Sequence, residues 1–269
     1  MSKKVLAVIP DRGGSKSIPF KNRKSFAGFP LIAWTIALAK LSSEFFAVVV
    51  SSDDKCILNI ANLLGVDVII DRPKNLCTDT MSTAPVIKHA LNYSEDYFRV
   101  DFDYVYTLEP TSPSRTHSHI IESYKILQEV NCDSISGITK LPHHFSPGKI
   151  ISLSTDTLSI TGANKMNIRD MVHRRQDIES KYYFNGLIWG TCAELLRSSK
   201  PSIWGESNVG YEIEKLYSID LDEPFEWDIN EYNFKKLLQK EAGLIKSNNF
   251  LEKKLNHEKY KNIQSCNWG

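Results

Sequence analysis

The sequence predicts an α/β fold in which a mostly parallel, Rossmann-like sheet is flanked by helices. Short, continuous apolar runs recur along the first half of the chain, as expected for strands that are buried on both faces. Segments with apolar residues at helical spacing separate these runs, which is typical of right-handed βαβ units. The 269 residues are enough for one large domain of this kind.

Five strands and four helices are predicted before residue 140. The strands are expected at 5–9, 45–50, 66–70, 104–108 and 134–138, and the helices at 30–41, 54–64, 83–92 and 118–130. The second helix has the clearest pattern, because Ile57, Ile60, Ala61 and Leu64 follow the i, i+3, i+4, i+7 spacing and Gly65 provides a stop.

The alternation of strands and helices breaks between about 140 and 175, and this stretch is predicted to be an insertion. Strand-like patterns return at 183–189 and 216–221, and a last helix is expected to begin near Pro224. We expect residues 1–240 to form one domain with the insertion at 140–175. Residues 241–269 are charged, rich in Asn and weakly periodic, so they are predicted to be a C-terminal tail with a frayed helix.

The composition excludes several classes of partner. Lys plus Arg is 33 and Asp plus Glu is 32, so the chain has no overall field for nucleic acid or an anionic membrane. The five cysteines are odd in number and form no C-x-x-C pair, which favours reduced thiols. No stretch approaches the roughly 20 apolar residues of a spanning helix, and the first apolar run is too short for a signal peptide. We therefore expect a cytoplasmic protein.

The loop after the first strand carries the equipment for binding an anion. Ligands of open α/β sheets bind beyond the carboxyl ends of the strands, where this loop is predicted to lie. Gly13 and Gly14 let the backbone adopt positive φ and come close to an anion, and consecutive backbone N–H groups there would make an anion nest. Arg12, Lys16 and Lys21 add three cations, which suits a triphosphate. The loop matches neither G-x-x-x-x-G-K-[ST] nor G-x-G-x-x-G, and the alternative is an ordinary turn with solvated lysines.

Two acidic residues near the end of the predicted domain suggest a metal site. Asp220 and Asp222 flank Leu221 in a strand-like run, so a period of two would place both carboxylates on one face. Mg²⁺ binds to one or two carboxylates together with phosphate oxygens. The alternative is a turn before Pro224 with no metal.

An ordered set of motifs resembles the acylneuraminate cytidylyltransferase family, the CMP-sialic acid synthetases. The motifs are I-P-x-R-G-G-S-K-x-I-P-x-K-N at 9–22, V-V-V-S-S-D-D at 48–54, L-E-P-T-S-P-x-R at 108–115, R-R-Q at 174–176, Y-x-x-N-G at 182–186 and S-I-D-L-D at 218–222. The resemblance implies a nucleotide-diphospho-sugar transferase fold with a dimerisation insertion, and hence a homodimer. It also implies Mg²⁺-dependent transfer of CMP from CTP to the anomeric hydroxyl of a sialic-acid-like (nonulosonic) sugar acid, with release of pyrophosphate.

The resemblance assigns roles on the nucleotide side. Arg12, Ser15 and Lys21 would hold the phosphates, beside the backbone of Gly13 and Gly14 and the side chain of Lys16. Asn22, Arg72 and Ser82 would face the cytosine and ribose. Asp220 and Asp222 would bind the metal. Arg12, Lys21 and Asp222 form the predicted catalytic set, with Asp222 assisting deprotonation of the sugar hydroxyl.

On the sugar side, the predicted residues are Glu109, Arg174, Arg175, Gln176, Tyr183 and Asn185. An arginine fork suits the sugar carboxylate. Arg175 aligns best with the arginine that binds this carboxylate in the family, and Arg174 is the second choice. The alternative is a solvated arginine pair. Glu109 stands where the family has Gln. A carboxylate there repels a sugar acid unless it is protonated, paired with Arg115 or Lys21, or faces an amino-bearing or positively charged substituent. Trp189 is predicted to be a core residue.

Two rival functions fit the same sequence. One is CMP transfer to Kdo or an amino-Kdo, although the Gly-Gly-Ser-Lys run at 13–16 is not typical of Kdo synthetases. The other is a catalytically silent nucleotide-sugar binder, against which the retained Arg12, Lys21, Asp220 and Asp222 argue.

Overall fold

The computed structural model describes residues 3–14, 17–78, 81–146, 149–162, 167–171, 179–219 and 221–255. The strands are β1 (Val5–Pro10), β2 (Ser25–Phe26), β3 (Phe29–Pro30), β4 (Ala47–Ser52), β5 (Val68–Asp71), β6 (Tyr104–Thr107), β7 (Ser134–Lys140), β8 (Ile151–Leu153), β9 (Ile160–Gly162), β10 (Tyr182–Cys192) and β11 (Asn208–Glu212). The helices are α1 (Leu31–Leu41), α2 (Lys55–Leu64), α3 (Thr83–Phe98), α4 (His117–Val130), α5 (Ala193–Arg197), α6 (Glu226–Leu238) and α7 (Ala242–Lys254).

Within the described residues, seven strands form the central sheet in the order β11-β7-β10-β6-β1-β4-β5. The pairs β6–β1, β1–β4, β4–β5 and β11–β7 are parallel, and β10 runs antiparallel to both of its neighbours. The predicted Rossmann-like, mostly parallel sheet with flanking helices is confirmed. The five strands and four helices predicted before residue 140 are all present, with boundaries that differ by a few residues.

Helices cover both faces of the sheet because the central strands are apolar on both faces. On β1, Val5, Ala7 and Ile9 belong to one buried cluster, whereas Leu6 and Val8 belong to the other. The first cluster also contains buried residues of α1, α2, α4, α6 and α7, and the second contains residues of α3 and α5. Alternate side chains of one strand therefore bind two helical layers to the sheet.

Helix α1 is apolar on every side because it lies beneath another helix. All residues from Leu31 to Ala39 are buried, and α7 packs against α1. Helix α7 buries Leu244, Ser247 and Leu251. The segment expected to be a frayed helix after position 240 therefore begins with a regular helix that helps to close the core.

The prediction of a strand at 216–221 is wrong for the residues that the structure describes there. Lys215–Tyr217 forms a 3-10 turn, and Ile219 and Leu221 lie in irregular chain. Both apolar side chains are nevertheless buried. The alternation in the sequence therefore reflects alternating burial, without the neighbouring strand that a ladder of hydrogen bonds requires.

The predicted insertion contains a short hairpin. Of the strands that the structure describes, β8 and β9 pair only with each other, with Leu153 opposite Ile160. A 3-10 turn at His143–Phe145 precedes the hairpin, and another at Ile168–Asp170 follows it. Among the described residues, no helix combines the length and the apolar character needed to cross a bilayer.

Candidate active site

A cleft of about 770 Å³ lies beyond the carboxyl ends of β1 and β6. Two sides of this cleft follow from the order of the strands. The β10 side contains the turn after β6 and the first half of β10. The β1 side contains the loop after β1 and Arg72, the residue that follows β5. The predicted site residues that line the cleft are Arg12, Asn22, Arg72, Ser82, Glu109, Tyr183, Asn185 and Asp222.

The loop after β1 meets the acidic segment near position 221. The Lys21 Nζ donates to Asp222 Oδ1 at 2.9 Å, although 201 residues separate the two. Lys21 is buried, whereas the Asp222 side chain is 67% exposed and lines the cleft. This ion pair joins a cation of the predicted phosphate loop to a carboxylate of the predicted metal pair.

The two glycines of the loop act differently from the prediction. Neither Gly13 nor Gly14 has positive φ, so the loop does not use the conformational freedom that the two glycines provide. The Gly13 N–H donates to Asp53 Oδ1 at 2.9 Å, so a carboxylate of the chain occupies one amide of the predicted nest. A Cβ on Gly13 would lie 3.3 Å from the Asp54 Cβ, so the glycine allows the loop to pass close to the start of α2.

Asp11 is a buried carboxylate beneath this loop. It accepts hydrogen bonds from Asn22 Nδ2 at 2.5 Å and from Ser52 Oγ at 2.6 Å. Burial raises the pKa of Asp11, and the two hydrogen bonds oppose that rise. An ionised carboxylate only accepts, so Asp11 fixes the NH₂ group of Asn22 toward itself and turns the amide oxygen the other way.

Arg72 is held rigidly at the β1 side of the cleft. Its Nη2 donates to the carbonyl oxygen of Ser51 at 2.5 Å and its Nε donates to Ser51 Oγ at 3.2 Å. Burial lowers the pKa of Arg72. Ser82, also in the cleft lining, occupies the N-cap position of α3, where its side chain makes no capping hydrogen bond. Both residues therefore line the cleft, and their predicted contacts with the cytosine and ribose stay predictions.

Glu109 lies on the β10 side with a fully buried arginine behind it. Arg115 donates through Nη2 to the carbonyl oxygens of Glu109 at 3.2 Å and Gly186 at 3.3 Å, and through Nε to that of Leu187. Burial lowers the pKa of Arg115 to about 10, and the charge of Glu109 opposes that shift. Of the two partners expected for Glu109, Arg115 therefore lies close enough for the charge of Glu109 to act on its pKa. Lys21 is paired with Asp222.

A bulge in β10 shapes the wall opposite the loop after β1. Asn185 accepts from the Leu187 N–H and donates to Thr139 Oγ1, both at 3.0 Å, so its amide holds the bulge in place. Gly186 has a φ of 72°, a conformation that favours glycine. The Tyr183 hydroxyl is 2.9 Å from Ser218 Oγ and connects β10 to the segment that carries Asp222.

Trp189 differs from its predicted core role, because it lines the cleft. It belongs to an aromatic cluster with Phe184, at 5.3 Å between ring centroids, and Trp204, at 5.9 Å. Phe184 also lines the cleft and is 54% exposed. The β10 side therefore presents aromatic rings beside the carboxylate of Glu109.

Several predicted site residues lie outside the described residues: Ser15, Lys16, Arg174, Arg175, Gln176 and Asp220. Their roles stay predictions. Within the described part of the chain, no group of three or more His, Cys, Asp or Glu side chains is arranged to hold a metal ion.

Comparison with known protein families covers much of this cleft. A model of the cytidylyltransferase family matches residues 6–147, which contain the loop after β1, Arg72, Glu109 and Arg115. The chain belongs to the cytidylyltransferase family.

Among relatives of this cytidylyltransferase, an N-acylneuraminate cytidylyltransferase of Escherichia coli O18:K1:H7 is 31% identical over 85% of this chain and 52% of its own length. A CMP-N,N'-diacetyllegionaminic acid synthase of Legionella pneumophila is 31% identical over 85% of this chain and 95% of its own. The chain thus spans about half the length of the first relative and nearly all of the second.

A solved CMP-2-keto-3-deoxy-manno-octonic acid synthetase in complex with CTP has the same fold. The TM-score is 0.63 over 87% of this chain and 99% of that one, at 14% identity. At this identity the likeness supports the architecture of the cytidylyltransferase and nothing finer.

Sequence reasoning did not include three described residues that shape the site. Asp11 occupies the variable position of the I-P-x-R-G-G run. Phe184 lies inside the Y-x-x-N-G motif but at one of its variable positions. Ser218 begins the S-I-D-L-D motif, and only the structure shows that it contacts Tyr183.

Proposed function

We propose that this cytidylyltransferase transfers CMP from CTP to the anomeric hydroxyl of a nonulosonic, sialic-acid-like sugar acid and releases pyrophosphate. The observation that carries the proposal is the ion pair between Lys21 and Asp222, whose carboxylate lines the cleft. It brings a phosphate-binding cation and an acidic group together beyond the carboxyl ends of the strands, where such sheets bind nucleotides. The names of the E. coli and L. pneumophila relatives support this class of acceptor.

In this proposal the chain acts mainly by positioning and by charge. Lys21 and Arg12 hold the phosphates, while Asn22 and Arg72 hold the nucleoside. The anomeric oxygen attacks the α-phosphorus, the bond from that phosphorus to the bridging oxygen breaks, and pyrophosphate leaves with the electron pair. Asp222 accepts the proton of the attacking hydroxyl. Aligning the two reactants in a closed cleft supplies much of the rate, since little covalent chemistry falls to the protein.

The residues present fit a magnesium ion. Asp222 offers carboxylate oxygens in the cleft, with Asp220 as its proposed partner, and Mg²⁺ is satisfied by one or two carboxylates together with phosphate oxygens. When bound, Mg²⁺ supplies neutralisation of the phosphate charge.

We also propose that the enzyme works as a cytoplasmic homodimer. The hairpin β8–β9 supports this arrangement, because Ile151, Leu153, Leu158 and Ile160 are each about half or more exposed in the single chain. A second copy would cover these side chains.

Pyrophosphate release from CTP and Mg²⁺ tests the proposal with a panel of acceptors: N-acetylneuraminic, legionaminic and pseudaminic acids, and Kdo. Release with a nine-carbon acid is the expected result. Release with Kdo alone would replace this proposal with the rival enzyme, and no release with any acceptor would favour a silent binder.

Two variants test the roles within the ion pair. Asp222→Asn should abolish turnover while calorimetry still detects CTP binding. Lys21→Met should lower kcat/KM for CTP by about 10- to 100-fold, the range expected for one charge-assisted phosphate contact. Lys55→Met breaks an exposed ion pair, with Asp71, outside the cleft lining and should leave the kinetics as in the wild type. Full activity of Asp222→Asn would exclude that residue as the proton acceptor.

A further inference from the structure

The chain that leads from β11 to Asp222 lacks the support of a sheet. Strand β11 ends at Glu212, and Lys215–Tyr217 forms a 3-10 turn. The described residues after that turn, up to Asp222, form neither helix nor strand, although Ser218 and Asp222 line the cleft. A segment without a ladder of hydrogen bonds depends on other contacts for its position. The contacts that hold this segment therefore also place Asp222.

Tyr217 attaches this segment to three other parts of the molecule. Its carbonyl oxygen accepts from Ser114 Oγ, which lies between β6 and α4. Its ring meets the ring of His119 on α4 edge to face, at 4.8 Å between centroids. Its hydroxyl donates to Glu241 Oε1 at 2.6 Å. Burial and this hydrogen bond raise the pKa of Tyr217 to about 12, so the hydroxyl keeps its proton at neutral pH and stays a donor.

Glu241 connects Tyr217 to the last helix of the described chain. It occupies the N-cap position of α7, but its side chain makes no capping hydrogen bond there. The side chain at this position usually accepts from the first turn of the helix, whereas this carboxyl group accepts from Tyr217. Helix α7 is fixed in turn, because Leu244 and Leu251 are buried and the helix packs against α1. The hydroxyl of Tyr217 is therefore bound to a rigid part of the fold.

The distance along the chain from Tyr217 to Asp222 is short. Asp222 follows by five positions, and Ile219 and Leu221 between them are 4% and 0% exposed. The Asp222 side chain itself is 67% exposed, so packing does little to hold it, and its carboxylate is paired with Lys21. The carboxylate is thus positioned by Lys21 on one side and by the anchored backbone on the other.

We propose that Tyr217 and Glu241 are positioning residues, whose hydrogen bond uses helix α7 to hold Asp222 in place for the transfer reaction. This inference rests on the role of Asp222 in the proposed function. It makes α7, which begins in the segment predicted to be a tail, a part of the catalytic unit.

A second hydrogen bond between a tyrosine and a glutamate provides a matched control. Tyr211 on β11 donates to Glu122 Oε2 on α4 at 2.7 Å, and neither residue lines the cleft. The ring of Tyr211 also meets that of His119, at 6.3 Å between centroids. Tyr211 lies in a strand that is paired with β7. Tyr211→Phe and Tyr217→Phe therefore remove the same kind of bond, but only the second one supports the segment that carries Asp222.

Steady-state kinetics with the best acceptor of the panel tests the role of Tyr217. Y217F should lower kcat by about tenfold or more and leave the KM for CTP within about twofold, because a small displacement of a reacting group costs much of the rate. Y211F should keep the kcat of the wild type. Both variants should lower the melting temperature by about 2–4 °C, as expected for the loss of one hydrogen bond in a chain of this size.

Variants of Glu241 test the same bond from its other end. Glu241→Ala should reproduce the loss in kcat, whereas Glu241→Gln retains an acceptor oxygen and should keep most of the rate. The double variant Y217F/E241A should be no slower than the slower single variant, because both changes remove one interaction.

The outcomes separate this inference from the proposed function. A wild-type kcat in Y217F, or equal losses of kcat in Y217F and Y211F, would overturn the inference alone. Losses that add in the double variant would do the same. The absence of pyrophosphate release by the wild type with every acceptor would overturn the proposed function and this inference with it.

Discussion

At the scale of single residues, Asp11 combines a positioning role with a cost in stability. Its carboxylate is 3% exposed and is held by Asn22 and Ser52. Burial raises its pKa above the value of the unfolded chain, so the ionised form destabilises the fold at any pH above that raised pKa. The cost disappears as the pH falls and the carboxyl binds a proton. The chain therefore gives up stability at neutral pH to keep a pure hydrogen-bond acceptor beside Asn22.

We predict that Asp11→Asn is more stable than the wild type at pH 7.5 and less active. Its melting temperature should rise by about 2–4 °C, which corresponds to about 1 kcal/mol for a chain of this size. The gain should shrink as the pH is lowered toward 4, because the raised pKa of the wild-type carboxyl favours its protonation as the pH falls. The activity should fall because an amide at position 11 no longer forces the orientation of Asn22.

Melting curves between pH 4 and 8 check this prediction, with Ser52→Ala as the control. That variant removes one hydrogen bond to Asp11 but retains the carboxylate, so it should lower stability at neutral pH and leave Asn22 in place. A gain for Asp11→Asn that is the same at every pH would contradict the assigned cause.

At the scale of elements, Arg115 ties the turn after β6 to the bulge of β10. Its guanidinium donates to the carbonyl oxygens of Glu109, Gly186 and Leu187, which belong to the two elements of the β10 side. Arg115→Met fills a similar volume but leaves these oxygens without their donor. At about 1 kcal/mol or more for each buried group, we expect a loss of about 3 kcal/mol in the free energy of unfolding.

Urea denaturation measures that loss, and kinetics with the acceptor sugar measure its effect on the site. The KM for the acceptor should rise more than the KM for CTP, because Arg115 supports the β10 side. Arg197→Met is the matched control, since Arg197 pairs with Glu95 and Glu194 outside the cleft lining. It should lower stability and leave the ratio of the two KM values unchanged. An unchanged ratio in Arg115→Met would limit that residue to a structural role.

The elements that the sequence predicted well are those whose burial follows from local pattern. The continuous apolar run of β1 and the spacing of Ile57, Ile60 and Leu64 in α2 both matched the structure. The alternation around Ile219 and Leu221 failed as a strand, because periodicity reports which side chains are buried and says nothing of a pairing partner. Gly13 shows a related limit: a glycine permits positive φ but does not require it, and the φ of Gly13 is not positive.

At the scale of the whole molecule, the meeting of Lys21 with Asp222 could be anticipated, whereas the network around each of them could not. Parallel strands bring their carboxyl ends to one edge of the sheet, where ligands bind. The loop after β1 is therefore expected at that edge, and the S-I-D-L-D motif with its predicted metal-binding aspartates is expected to meet it there. The contact of Asp11 with Ser52 and the reach of Arg115 to β10 depend on side-chain directions in three dimensions. No spacing along one chain encodes those directions.

The last prediction concerns the assembly of two chains. A two-stranded hairpin on its own is marginally stable in water. In the part of the chain that the structure describes, β8–β9 pairs with no other strand, and it exposes Leu158 to 74% and Leu153 to 59%. A second copy that covers the hairpin removes this exposed apolar area from water, which stabilises both partners.

Sedimentation equilibrium should therefore give the wild type twice the mass of a single chain. Replacing Leu153 and Leu158 with Lys should shift the mass toward that of the monomer. Tyr97→Lys changes an apolar side chain of similar exposure, 63%, on α3 and should leave the dimer intact. A wild type that sediments as a monomer at micromolar concentration would leave the exposed hairpin without the partner assigned to it. A dimer that survives both lysines would place the contact between the two chains on another face.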